Sequence, residues 1–360
     1  MHLPPPVLTF VAFAVALGVL VFVHELGHFL VAKRIGVKVL RFSIGFGPVV
    51  LARRRGETEY ALSAVPLGGY VKMQGEDDEE EAAVDPDRSF STQVPLRRAA
   101  IVFAGPAMNF LFAFVTYALL FALVGAEVPS SEPRVGGVGQ GSPAEAAGLE
   151  IGDRIASVND EQIATWEQLS KAVLRSGGAR LHLEVRRGES QFPLEVTPEL
   201  RLDRNLFGEE QGSSYRIGIE ASRDWVSVGP FEGVRMAAEQ TWMASAVVAK
   251  GLVLMLQGRV PLRELGGPIA IARAAGQQAR AGLRYFLSML AFLSVNLGVL
   301  NLLPIPALDG GHLAMVGIEA VIRQPLRPRH REIAQQVGLL LLLTLMVFVF
   351  YNDIHRLVQG

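Results

Sequence analysis

Three residues in an apolar run raise the question of chemistry: His24, Glu25 and His28 within "FVHELGHFLV", residues 22–31. On a helix, residues four apart share a face, so the two imidazoles can be offered to one metal while Glu25 sits beside them. This is the H-E-x-x-H spacing of zinc hydrolases. Ionisable groups at membrane depth are costly, and their presence there points to function. A reactive zinc site takes three protein ligands and keeps a fourth position open. The chain has no cysteine, so the third ligand must be His, Asp or Glu. The candidate is Asp309 in "NLGVLNLLPIPALDGGH". Taken alone, an Asp before Gly310-Gly311 reads as a turn or cap residue, and spacing leaves His312 as an alternative ligand.

Composition says what must position these groups. Half of the 360 residues are hydrophobic and 19% are charged, with a mean hydropathy of +0.31, which implies an integral membrane protein. A formal net charge of -1 argues against a nucleic-acid partner, which needs a basic face. The absent cysteines exclude disulfides, thiolate ligands and a Cys nucleophile. Apolar stretches near 7–32, 99–124, 285–303 and 335–351 approach the roughly 20 residues a membrane helix needs. "MHLPPP" lacks a basic n-region, so the first stretch is expected to stay as a helix.

Lys33, Arg34, Lys38, Arg41 and Arg53–Arg55 follow the first span, Arg97 and Arg98 precede the second, and Arg323, Arg327, Arg329 and Arg331 lie between the third and fourth. Basic connections favour the cytoplasm, so both connections are expected there. Depth then ties the site together. His24 lies about 25 Å along the first span at ~1.5 Å per residue, near its cytoplasmic end, and Asp309 comes similarly late in the third stretch. The two stretches run parallel only if one span intervenes. "MASAVVAKGLVLMLQG" is short and carries Lys250, with Glu232, Arg235 and Glu239 upstream; it is expected to lie on the membrane as an amphipathic helix. A fifth span at 243–257 would send Asp309 to the opposite face.

Residues 132–222 read as a separate α+β domain. A short helix precedes Gly148 and the Gly152-Asp153 turn, and a strand ends at Asn159-Asp160. Trp166, Leu169, Val173 and Leu174 share one helical face, and Gly177-Gly178 stops that helix. Leu181, Leu183 and Val185 alternate as in a strand, as do Phe192, Leu194 and Val196 beyond Arg187-Gly188. The segment resembles a bacterial, permuted PDZ domain. That resemblance implies that "YRIGIE", 215–220, carries a carboxylate-binding loop and a peptide-pairing strand with Ile217, Gly218 and Ile219.

"HELGH", "FAGPAMNF" at 103–110 and "NLLPIPALDGG" at 301–311 together resemble the three signatures of the site-2 protease family of intramembrane zinc metalloproteases, and in particular its bacterial RseP-type group with PDZ domains. The resemblance runs over essentially the whole chain, which has room for one PDZ domain where some members have two. It implies one catalytic zinc held by His24, His28 and Asp309, Glu25 as general base, and Asn301 and Asn296 near the reacting centre. It also implies that 41–73 is a re-entrant β-hairpin with a Gly45-x-Gly47 turn. Ile44 and Phe46 are expected to offer edge donors that hold an unwound substrate.

The expected architecture is thus a polytopic α-helical membrane protein with four transmembrane helices, a cytoplasmic-side re-entrant β-hairpin and one extracytoplasmic PDZ-like domain. Its segments are 1–34, the hairpin and loop 35–96, 97–127, the PDZ-like 132–222, an amphipathic region 223–280, 281–312 with the LDG motif, a cytoplasmic loop 313–333, and 334–360. The expected setting is a bacterial cytoplasmic membrane with the active site near its cytoplasmic side. The expected partners are the lipid bilayer, transmembrane segments of single-span proteins, and a peptide C-terminus or trimmed external domain at the PDZ-like domain. The competing expectation is a catalytically silent membrane scaffold.

Overall fold

The computed structural model describes residues 5–76, 84–204, 210–261, 266–324 and 326–359. The chain divides into two compact units: the residues up to Leu123 joined by those from Pro230 onward, and Val124–Gly229 between them.

The first unit is built on long apolar helices. Helix α1 (Pro5–Ile35) has no acidic residue in its first turn and ends on Lys33 and Arg34, which suits the negative end of the helix dipole. After strands β1 (Val39–Arg55) and β2 (Thr58–Met73) come α2 (Pro95–Val124) and then the second unit. That unit contains β3 (Ala126–Pro129), β4 (Val135–Val138), α3 (Pro143–Ala147), β5 (Arg154–Val158), β6 (Glu161–Gln162), α4 (Trp166–Arg175), β7 (Leu181–Arg187), β8 (Ser190–Val196), β9 (Glu199–Arg204), β10 (Glu210–Arg216), β11 (Ile219–Ala221) and β12 (Arg223–Val226). The first unit resumes with α5 (Pro230–Leu256), α6 (Pro268–Ala281), α7 (Leu283–Asn301), α8 (Asp309–Ile322) and α9 (Pro328–Gln359).

Among the described residues, four helices are long and apolar enough to cross a membrane: Pro6–Ile35, Pro95–Val124, Leu283–Asn301 and Arg329–Val358. They coincide with the four expected stretches. Helices suit this role because every backbone group is satisfied within the segment. α5 is not among them. Its Ala237 and Ala244 pack against Ala113 and Tyr117 of α2 and Ala291 and Val295 of α7, while Arg235 pairs with Glu232 and Glu239 at its exposed start. The expected amphipathic region is therefore two helices, α5 and α6, and its residues 262–265 lie outside the described ones.

Two differences concern the third apolar stretch. α7 stops at Asn301, and Asp309 opens a separate helix. Pro304 and Pro306 lack the N–H that would continue the ladder, so the chain folds back through Leu303, Ile305 and Leu308 in tight turns. A Cβ on Gly310 would sit 2.2 Å from the Leu303 carbonyl oxygen, and one on Gly311 2.2 Å from that of Ile305, so only glycines allow this close return. The stretch 313–333, expected as a loop, is helical up to Ile322 and again from Pro328. Its start meets α2: Arg98 donates to Glu319 at 2.5 Å, and Arg331 of α9 donates to the same carboxylate. The two connections expected on one side of the membrane thus touch.

The hairpin is more folded than expected. Residues 41–44 of β1 pair with Glu59–Leu62 on one side and with 69–72 on the other, while 49–55 pair only with 58–63. The order across the sheet is 49–55, 58–63, 39–46, 65–73. Ile44, bonded to both Leu62 and Gly69, is central, so the expectation that it is an edge donor is corrected; the outermost strands of the sheet are 49–55 and 65–73. The positive φ of Gly45 (88°) and Gly47 (83°) lets β1 turn back here, a conformation other residues resist.

In the second unit, β6-β5-β7-β8 form a four-stranded sheet, and β9–β10, β4–β11 and β3–β12 pair separately. Ile155, Leu169, Leu181, Leu183, Val185 and Ile217 are buried together. Thr165 caps α4 in a reciprocal capping box with Gln168. Leu174, expected on the buried face of α4, is 48% exposed; at five residues beyond Leu169 it falls off the stripe that Leu169 and Val173 share.

Candidate metal centre

α1 carries His24 and His28 one turn apart, and both are buried. α2 crosses α1 closely because Gly27 and Gly105 have no side chains: a Cβ on Gly27 would lie 2.2 Å from the Ala104 carbonyl oxygen, and one on Gly105 2.3 Å from His28 Nε2. The sequence showed both glycines inside the motifs, yet only the crossing reveals their use. The turn after α7 then brings Asp309 to the imidazoles.

The geometry suits a metal. His24 Nε2 lies 3.2 Å from His28 Nε2 and 3.1 Å from Asp309 Oδ2, and His28 Nε2 lies 3.6 Å from Asp309 Oδ1. Ligands of a tetrahedral ion at ~2.0–2.1 Å stand roughly 3.3 Å apart. Asp309 Oδ2 is buried and has no hydrogen-bond partner, a costly condition that a cation would relieve. His28 Nδ1 donates to the Ile101 carbonyl at 2.9 Å, which leaves its Nε2 lone pair for a ligand bond. Among the described residues, His24, His28 and Asp309 form the one group of three or more such side chains able to hold an ion. His312 is not part of it.

Glu25 is half-buried beside the cluster, and its carboxylate accepts a hydrogen bond from the Val71 backbone in the 65–73 edge. A Cβ on Gly69 would fall 3.2 Å from Glu25 Cγ, so the hairpin edge lies directly on Glu25. Asn301, the last residue of α7, places Nδ2 3.3 Å from His24 Nε2. Asn296 is not brought in; its amide donates back to the Phe292 carbonyl at 3.1 Å. Asn109, which the motif contains but the sequence left without a role, is buried and puts its amide 3.0 Å from His24 Nδ1. Gly45 and Gly47 shape the hairpin. In the other unit, the Ile217 side chain belongs to the core. The Ile217 and Gly218 carbonyls accept from Ala144 and Gly139, and Ile219 pairs with Val138.

Comparison with known proteins agrees with this geometry. The chain is 38% identical to a candidate zinc metalloprotease of Mesorhizobium japonicum, over 96% of this chain and 98% of that protein. It is 34% identical to one of Campylobacter jejuni, over 97% and 94%. It is 32% identical to the protease RseP of Yersinia pestis, over 96% and 98%. A PDZ domain from Listeria monocytogenes, of an SdrC-like protein, aligns with 26% of this chain and 88% of its own at 17% identity, with a TM-score of 0.20, too low to argue from. The profile of peptidase family M50 matches residues 12–345. Matched from within the H-E-x-x-H helix to within the last one, the chain belongs to peptidase family M50, the site-2 protease family of zinc metalloproteases.

Proposed function

We propose that this chain hydrolyses peptide bonds within transmembrane segments of single-span proteins in a bacterial cytoplasmic membrane, with anti-sigma factors or remnant signal peptides as the substrate class. The observation that carries this is the convergence of His24, His28 and Asp309, from two helices far apart in sequence, beside Glu25 and within apolar helices.

The three residues would hold zinc, a Lewis acid that polarises a scissile carbonyl and acidifies water. Glu25 takes the proton of the attacking water as it adds to the carbonyl carbon, and delivers it to the leaving amine as the C–N bond breaks. The Asn301 amide donates to the carbonyl oxygen as charge develops there. A helical substrate has its carbonyls engaged and must be unwound first. The 65–73 edge offers backbone pairing for the extended segment, and its contact with Glu25 would bring the captured bond to the base.

The Val124–Gly229 unit, on the outer side of the membrane and PDZ-like, would filter substrates by size or dock a trimmed end, with Gly218 and Ile219 presenting backbone to a peptide C-terminus. The contact of Arg98 with Glu319 supports a common, cytoplasmic side for the two basic connections.

The test is co-expression with a tagged single-span substrate whose N-terminus is cytoplasmic and whose external part is short. The unaltered chain should release a smaller product. Glu25→Gln should retain its metal yet cleave about 10²–10⁴-fold more slowly. A Glu25→Gln form that still cleaves at the original rate would remove Glu25 from its role. Bound zinc without product over several such substrates would favour a silent scaffold.

A further inference from the structure

We infer that Asn109 is the positioning residue of His24: its side-chain oxygen accepts a hydrogen bond from His24 Nδ1–H, which fixes the ring and leaves Nε2 free to bind metal. This rests on the zinc centre proposed above.

His24 Nε2 faces His28 and Asp309, so this is the atom that would bind the ion. A neutral imidazole that uses Nε2 as a ligand carries its proton on Nδ1, and that N–H needs an acceptor. His28 has such an acceptor in the Ile101 carbonyl. For His24 the atom at hand is Asn109 Nδ2, 3.0 Å away, which is itself a donor. Meanwhile Asn109 Oδ1 is buried with no partner. A half-turn of the amide, which exchanges two groups of nearly the same shape, brings Oδ1 to the Nδ1–H and puts Nδ2 where the unpartnered oxygen stood.

The side chain is well placed for this work. Asn109 is fully buried, and Ser294 of α7 donates to its backbone carbonyl at 2.9 Å. A Cβ on Gly298 of α7 would lie 3.4 Å from Asn109 Cβ, so α7 closes over it. Asn109 therefore ties α2 and α7 to a ligand carried by α1. The neighbouring Asn301, whose amide approaches the Nε2 side, is left for the substrate.

Zinc affinity of the purified full-length chain, read by chelator competition, and the visible absorption of its cobalt-substituted form test this without reference to cleavage. Asn109→Leu, similar in size but without an acceptor, should weaken zinc binding about 10–100-fold and shift the cobalt bands. Asn109→Asp keeps an acceptor and should bind zinc within about threefold of the unaltered chain or more tightly. If Asn109→Leu fails to fold by thermal unfolding, the Asp form decides alone: binding as weak as 10-fold down would overturn the inference. Equal zinc affinity and unchanged cobalt bands in a folded Asn109→Leu would overturn it too, while leaving the zinc centre intact. An unaltered chain that binds no zinc would overturn both.

Discussion

The two units treat apolar and charged side chains in opposite ways. In Val124–Gly229, Ile155, Leu181, Leu183 and Val185 are turned inward, and charged residues lie outside or, like Asp153, find a partner at the rim. In the other unit, large apolar side chains such as Phe10, Val15, Leu123, Leu340 and Val347 face outward, while His24, His28, Asn109, Arg98 and Glu319 are buried. The inversion follows from the solvent. Water drives apolar groups inside, whereas hydrocarbon competes for no polar contact and exposes a stranded charge to full cost. The membrane unit therefore encloses its polar groups and pairs them there, Glu319 with Arg98 and Arg331 and Asp309 with His24 and His28.

Glu319 is buried between Arg98 and Arg331. Glu319→Ala leaves two cations unpaired, and thermal unfolding in detergent should show a loss of about 3–5 kcal/mol. A loss no larger than that of an exposed ion pair would mean water reaches this site, and the inversion would weaken.

The second unit should respond to pH instead. Although burial pushes the Asp153 carboxyl up, Arg187 and the Glu150 N–H hold it below its ordinary range. A depressed folded value gives stability that is complete above the unfolded range and is lost as pH falls through the folded one. Arg187→Met should cost about 1–3 kcal/mol near neutrality by leaving a buried acceptor short of its partner, and should flatten the acid loss seen by limited proteolysis of this unit. An acid profile identical to that of the unaltered chain would remove the pair from the account. The smallest expected effect is at the α4 cap: Thr165→Ala should cost about 1 kcal/mol in the same proteolysis assay, and no change in the membrane unit. An unchanged proteolysis rate on this substitution would show that the cap does not hold α4.

Much of this was legible in the residues. The four apolar stretches, the alternation around Leu181–Val185 and the i, i+4 histidines each express a local period, and local periods survive folding. Leu174 was misplaced because a stripe read from spacing alone has soft edges. Ile44 was misread because a hairpin pattern gives no sign that one strand will pair twice. The LDG segment looked like the end of a span, since its prolines mark a break but not the direction in which the chain returns.

The sequence by itself determined that this is a membrane protein whose candidate metal set is N and O, with a carboxylate one residue from a histidine, because composition and helical period are properties of the chain. Only the tertiary structure decided that Asp309 rather than His312 joins the imidazoles, that Gly105 makes the space, that the 65–73 edge lies on Glu25, and that Asn109 meets His24. Each of these is a contact between residues far apart in the chain, and no period along one helix records the distance to another.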